Sequence, residues 1–149
     1  EAGGAKSVLA VNGSMVDLTG NAPKIVEYIE AGRTYLDGDI QIGALDGVIR
    51  DRLRMAMNGH AIVLIIMEDD EMAGEPWVDL VGLPEIGKSG APLSDVLEED
   101  LSQMIGRASA NTRGDDDDLE DDVRKTVRKS AEDEIGKKPE VTVVISRLS

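Results

Sequence analysis

The spacing of apolar residues predicts a helix followed by two strands in the middle of the chain. Segment 45–57 and the Asn58-Gly59 stop after it indicate a helix, whose apolar side consists of Leu45, Val48, Ile49, Leu53, Ala56 and Met57. Segment 61–67, AIVLIIM, is continuous, branched and apolar, which predicts a strand buried on both faces. Segment 77–83 alternates well enough to predict a second strand.

The later part of the chain shows two further helical patterns and one strand. Pro92 suits the first turn of a helix, whose apolar face consists of Leu93, Val96, Leu97, Leu101, Met104, Ile105 and Ala108. The next helix repeats an apolar residue every four positions, at Leu119, Val123, Val127, Ala131 and Ile135. Gly136 ends that helix, and segment 141–145 predicts the last strand. The fold class is therefore α+β, with a small mixed three-stranded sheet, a helical hairpin on one face and a preceding helix.

The beginning of the chain contains only short strand-like pieces. Segments 8–11 and 15–18 are apolar and flank Asn12-Gly13, which is a strong hairpin signal. Segments 24–29 and 33–36 continue as extended pieces. A two-stranded hairpin has too little hydrophobic surface to be stable by itself, so we expect it to pack against other parts of a protein. This pattern favours a piece that ends one domain, then a joint, then a complete small domain.

The amino-acid composition argues against several classes of function. The chain has 149 residues, a formal net charge of −14, one Trp and no Phe. An acidic surface repels a phosphate backbone, and few rings are present for base stacking, so this chain alone should not bind RNA or DNA well. Cys is absent, which excludes disulfides and thiolate metal sites and fits a cytoplasmic location. No apolar run reaches the roughly 20 residues needed to cross a bilayer, so we expect no membrane partner.

His60 is the only histidine, and its position at the entrance of the most apolar strand favours a structural or exposed role. Hydrolytic zinc sites normally use three protein ligands, mainly His, so one His without Cys does not supply the usual site. Triads of Ser or Cys with His meet the same shortage. We therefore predict no catalytic, cofactor-binding or metal-binding residue in this chain.

The densest charge cluster comprises Asp115, Asp116, Asp117, Asp118, Glu120, Asp121 and Asp122. A calcium or magnesium site is one interpretation, although the spaced ligands and central Gly of a calcium loop are missing. We favour a solvated helix start, where the helix dipole stabilises anions. Under the metal hypothesis, calcium or magnesium would raise the melting temperature.

Two interpretations are open for the clustered basic residues: contact with a phosphate backbone, or local ion pairs. Arg50, Arg52 and Arg54 lie in the first predicted helix, with Asp51 among them. We expect them to pair with neighbouring carboxylates, and we expect the same of Arg124, Lys125, Arg128 and Lys129. Lys137 and Lys138 follow a helix end, where cations are favoured. Trp77 is either a core anchor or an interface ring.

Four strings in order resemble the C-terminal end of ribonuclease J, a nuclease family of the metallo-β-lactamase and β-CASP group. They are EAGGAKSVLAVNGSMVDL, GRTYLDGDI, VIRDRLRMAMNGHAIVLIIM and DEIGKKPEVTVVISRL. The resemblance implies terminal strands of the metallo-β-lactamase-like catalytic domain in residues 1–19, a linker in 20–44 and a C-terminal α+β domain in 45–149. It also implies a parent enzyme that is a zinc-dependent 5′–3′ exoribonuclease and endoribonuclease, with its metal motifs upstream.

The leading hypothesis is a non-catalytic domain that supports oligomerisation and the architecture for RNA processing and decay. No cofactor is expected in this chain, and zinc is expected in the parent enzyme. The expected partners are a second copy in a homo-oligomer, RNA through the parent's catalytic domains, and proteins of RNA decay. The alternative is a free-standing acidic module that docks onto a basic protein.

Overall fold

The computed structural model describes residues 4–44 and 46–149, and Leu45 of the predicted first helix lies outside this range. Its contacts divide the chain into two units, residues 1–50 and 51–149. The first unit contains the strands β1 (Ser14–Asp17), β2 (Lys24–Tyr28), β3 (Thr34–Asp37) and β4 (Ile40–Gly43). Helix α1 (Gly47–Asn58) spans the division and confirms the predicted helix.

The first unit consists of two antiparallel pairs, β1 with β2 and β3 with β4. The predicted hairpin between segments 8–11 and 15–18 is wrong, because residues 8–11 form no strand and β2 pairs with β1. Asn12-Gly13 does form a turn, in which the Ser14 N–H donates to the Val11 carbonyl at 3.0 Å. However, the Gly13 carbonyl accepts from the Ile29 N–H at 2.7 Å, so the pairing continues toward β2.

The second unit contains β5 (His60–Glu68), β6 (Glu71–Met72), β7 (Trp77–Val81) and β8 (Glu140–Leu148). These strands form one four-stranded sheet in which β5 is central. β8 pairs with β5 in parallel over its whole length, and β7 and β6 share the other edge of β5 in antiparallel pairing. The predicted mixed sheet is confirmed, and the two-residue β6 adds a fourth strand that periodicity did not indicate.

Three helices complete the second unit: α2 (Leu93–Arg107), the short α3 (Ala110–Gly114) and α4 (Asp116–Ile135). The helices α2 and α4 confirm the predicted helical hairpin, whereas α3 was not predicted because it is too short to show a period. Their buried apolar residues are Leu93, Leu97, Leu101, Ile105, Leu119, Val123, Val127 and Ala131. They pack against one face of the sheet, where Ala61, Val63, Ile65 and Met67 of β5 are buried.

The opposite face of the sheet has no comparable cover within the described part of the chain. Ile62, Leu64 and Ile66 of β5 are only half-buried. The prediction that β5 is buried on both faces is therefore wrong for this face. The physical reason is that both long helices contribute their apolar faces to the same side of the sheet, which leaves the alternate side chains of β5 without a second layer.

Candidate functional site

The uncovered face of the sheet is the most unusual surface of the second unit, and we call it the open face. Strand register places the following apolar side chains on it: Ile62, Leu64, Ile66, Trp77, Val81 and Val144. Trp77 and Val81 are each 53% exposed, and Val144 is 46% exposed. The core-anchor interpretation of Trp77 is therefore wrong, and its role as an interface ring stays a prediction. A contiguous apolar surface of this kind is typical of an interaction site.

His60 lies at one end of the open face, where β5 begins. Its Nε2 atom is 2.8 Å from the Thr142 hydroxyl on β8, and Glu140 is its register partner on the same strand. Glu140 in turn pairs with Arg54 of α1, at 3.2 Å. The expected ion pairing of the first helix is thus confirmed for Arg54. The position of His60 agrees with a structural role, because its ring links the two neighbouring strands.

Two residues of the acidic cluster at the start of α4, Asp115 and Asp116, accept hydrogen bonds in addition to being exposed to solvent. Asp115 is the N-cap, and its side chain accepts from the N–H groups of Asp117 and Asp118 at 3.0 and 3.1 Å. Asp116 accepts from Arg147 Nε of β8 at 2.8 Å. The cluster therefore closes the helix N-terminus and binds a neighbouring strand, which its local charge density did not reveal.

Arg147 connects three separate parts of the second unit. Besides Asp116, it donates from Nη1 to Asp70 in the β5–β6 turn at 2.9 Å and from Nη2 to the Arg113 carbonyl at 2.7 Å. The hydrogen bond to Asp116 is the main cause that raises the pKa of Arg147. Sequence reasoning missed this residue, because its partners lie 31, 34 and 77 positions away along the chain.

The remaining predicted cations are mostly engaged in local pairs. Arg124 pairs with Glu120 and Asp121, and Lys125 pairs with Asp122 at 3.3 Å, as expected. Further along the chain, Lys138 pairs with Glu132 at 3.1 Å, and Lys137 donates to the Met57 carbonyl at the end of α1. The expected pairing is thus confirmed for Arg124 and Lys125, whereas the buried Nε of Arg128 has no hydrogen-bond partner among the described residues.

A groove of about 480 Å³ lies between α2 and α4, on the side away from the sheet. Its charged lining residues have both signs: Asp100, Arg107, Asp122, Lys129 and Asp133. Mixed charges of this kind favour no particular ligand class. No group of three or more His, Asp or Glu residues suited to a metal ion was found in the described ranges 4–44 and 46–149.

The fold and the open face together define a small α+β domain with one exposed apolar face. Comparison with known proteins identifies the family. The model of the ribonuclease J C-terminal domain matches residues 47–148, so the chain belongs to that family. The chain is also similar to ribonuclease J of Sinorhizobium meliloti (strain Sm2011 / Rm2011 / 2011), with 30% identity over 139 residues. That match covers 92% of this chain and 24% of the relative.

The zinc that the resemblance implies for the parent enzyme does not fit the residues described here. One histidine, no cysteine and no clustered carboxylates suited to a metal are present in these ranges. No catalytic step is therefore assigned to a metal held by this chain. None of the described helices is long and apolar enough to cross a bilayer.

Proposed function

We propose that this chain acts as the C-terminal portion of a ribonuclease J-like enzyme, a zinc-dependent 5′–3′ exoribonuclease and endoribonuclease. In this proposal, residues 45–149 are non-catalytic. They support subunit association and hold the catalytic domains in a geometry that admits RNA. The observation that carries the proposal is the family match over residues 47–148, in a domain whose sheet has one open apolar face. The cysteine-free composition supports a cytoplasmic location.

The first unit supports the idea that residues 1–19 complete an upstream catalytic domain, with 20–44 as the linker. None of the described residues from Gly4 to Arg50 is buried. Its most exposed apolar side chains are Leu9 (88%), Leu18 (73%) and Leu36 (73%). Two hairpins without a core are not stable by themselves in water, so they need a covering partner. An adjoining domain of the same polypeptide would provide it.

The open face supports association between copies of the chain. Two copies that each carry a net charge of −14 repel one another, so they can meet only where charges are few. The open face has a mainly apolar surface, whereas the start of α4 is strongly acidic. Trp77, Val81 and Val144 could pack against the same residues of a second copy, which would form a two-fold symmetric interface.

A nuclease assay tests the non-catalytic role. The chain is incubated with labelled RNA and with zinc, magnesium or manganese in turn. We expect no cleavage by this chain and cleavage by a protein that also contains the upstream domains. Robust RNA cleavage by the chain alone would overturn the proposal.

Light scattering tests the association surface. We expect Val144→Asp to shift the chain toward the monomer, because a carboxylate would be desolvated in the interface. Leu53→Asp, on the exposed side of α1, is the matched control and should leave the mass unchanged. A monomeric wild-type chain at all accessible concentrations, or an oligomer insensitive to Val144→Asp, would contradict association through the open face.

A further inference from the structure

The outer edge of β7 is a second candidate surface, separate from the open face. β7 pairs with β5 on one side, and its other edge has no strand partner in the described part of the chain. An unpaired strand edge presents main-chain N–H and C=O groups that can bind another extended segment.

Two carboxylates already mark where such a segment would bind. The Val78 N–H donates to Glu98 Oε1 at 2.9 Å, and the Leu80 N–H donates to Asp79 Oδ1 at 3.0 Å. Both N–H groups therefore point away from β5 and toward an acceptor. Each carboxylate oxygen accepts a hydrogen bond that a carbonyl oxygen of an added strand could accept instead. Because both belong to side chains, a peptide carbonyl can replace each of them with little net loss of hydrogen bonding.

A groove of about 420 Å³ runs beside this edge. Leu80, Leu83, Ile86 and Pro92 contribute apolar lining, and Ser94 of the first turn of α2 closes one side. Ile86 is 53% exposed, which leaves apolar surface available for an incoming side chain. The strand edge thus offers main-chain pairing, and the groove offers a place for alternate side chains.

The charges around the groove define the chemistry of the occupant. Asp79 and Glu85 line it, and Glu98 is bound at the strand edge. A peptide that displaces Glu98 and Asp79 from the backbone leaves two carboxylates free beside it. Lys or Arg side chains would then pair with these groups, whereas acidic side chains would be repelled.

We propose that the outer edge of β7 and its groove bind a short extended peptide in which aliphatic residues alternate with Lys or Arg. The aliphatic side chains enter the groove, and the peptide backbone pairs with the Val78 and Leu80 N–H groups. This inference concerns recruitment of a protein segment and does not depend on the proposed role in ribonuclease assembly.

The test uses the 149-residue chain and a fluorescent peptide in which Leu alternates with Lys. We expect saturable binding by fluorescence anisotropy, together with NMR shifts at the amides of Val78 and Leu80. A peptide with N-methyl groups on the backbone nitrogens of its pairing edge should bind at least about tenfold more weakly, since it cannot form a strand pair; tenfold corresponds to about 1.4 kcal/mol. A peptide in which Leu alternates with Glu should not bind.

Variants then locate the site. Ile86→Glu should weaken binding of the Leu-Lys peptide by about tenfold or more, because it places a charge in the groove. Leu53→Glu is the matched control. Leu53 is similarly exposed, at 58%, and the substitution adds the same charge on α1. Equal binding of the N-methylated peptide, or equal effects of the two variants, would show charge attraction alone and overturn the proposal. Loss of self-association in Ile86→Glu would also overturn it, because a second copy would then occupy the groove.

Discussion

Single residues with distant partners organise the end of the sheet in this protein. Arg147 is held by Asp116, Asp70 and the Arg113 carbonyl, so one guanidinium joins β8 to the β5–β6 turn and to the junction of α3 with α4. A planar guanidinium can bind several acceptors at fixed angles, which an ammonium group cannot do. The side chain is 31% exposed, so the network is partly screened by water.

We expect Arg147→Gln to lower the melting temperature by more than Arg54→Gln does. Removing Arg147 leaves three acceptors without their donor, whereas Arg54 pairs with Glu140 alone in the described part of the chain and is 51% exposed. Thermal unfolding followed by circular dichroism compares the two variants. Arg147→Lys should recover only part of the loss. Equal melting temperatures for both glutamine variants would show that the network contributes little.

Glu134 is a single residue that should make the stability of the fold depend on pH. Its carboxylate accepts from the Ser89 N–H at 3.0 Å and from the Ser89 hydroxyl at 2.8 Å, and these bonds lower the pKa of Glu134. A lowered folded-state pKa adds stability that is fully present above the ordinary glutamate pKa and is lost as the pH falls through the lowered value. We expect Glu134→Gln to remove this component from the acid limb of the stability curve. Superimposable acid limbs would contradict the assignment.

At the scale of elements, glycines decide where strands and helices begin and end. Gly136 ends α4 with φ of 70°, and Gly59 joins α1 to β5 with φ of 74°. A Cβ at Gly136 would meet no atom within 4 Å, whereas a Cβ at Gly59 would lie 2.4 Å from the Leu83 side chain. Gly106 is the next-to-last residue of α2, and it is not among the glycines with positive φ. The three sites therefore separate backbone strain from crowding.

Substitution of these glycines by alanine should give three different outcomes. We expect Gly136→Ala to cost about 1 kcal/mol, from the left-handed backbone alone. Gly59→Ala should cost more than about 2 kcal/mol, because crowding against Leu83 adds to the strain. Gly106→Ala should stabilise by less than about 1 kcal/mol, since alanine has the higher helix propensity and the gain is smaller in the last turn of a helix than in its interior. Urea unfolding measures all three, and any other order would contradict this interpretation.

Edge protection is a second property of the elements. Glu98 of α2 accepts from the outward Val78 N–H of β7, so a helix side chain covers part of a strand edge. We expect Glu98→Ala to reduce stability by about 1 kcal/mol and to increase aggregation on mild heating, because the edge becomes free to pair. Glu99→Ala, on the neighbouring helix position, is the control. Turbidity indistinguishable between the two variants would contradict the protective role.

At the scale of the whole molecule, the net charge and the open face would have opposite effects on the proposed association of two copies. The formal net charge is −14, and Trp77, Val81 and Val144 remain exposed on one surface. If two copies associate through this surface, we expect the association to strengthen as salt rises from low to physiological concentration. Screening reduces the long-range repulsion between the copies, with a Debye length of about 10 Å at 0.1 M salt.

Sedimentation velocity across a salt series measures this effect, and sulfate and chloride at matched ionic strength provide the control for specific-ion effects. Weaker association at higher salt would indicate an interface built on ion pairs and would contradict the assignment to the apolar open face. Val144→Asp should remove the salt-dependent association while leaving the circular dichroism spectrum unchanged.

The sequence by itself determined the α+β class, the long strand β5, the helices α2 and α4, and the apolar residues that these two helices bury. These features follow from local periodicity, because a buried helical face and a buried strand leave their own spacing in the chain. The family resemblance was also readable from four ordered strings and agrees with the match over residues 47–148.

Only the tertiary structure decided which segments pair and which surfaces stay open. Local signals at Asn12-Gly13 favoured a hairpin with residues 8–11, but β1 pairs with β2. The apolar run of β5 predicted cover on both faces, but both long helices lie on one side of the sheet and leave the other face open. The role of Arg147 depends on partners up to 77 residues away. Such choices are set by long-range pairing and packing, which leave no period in the sequence.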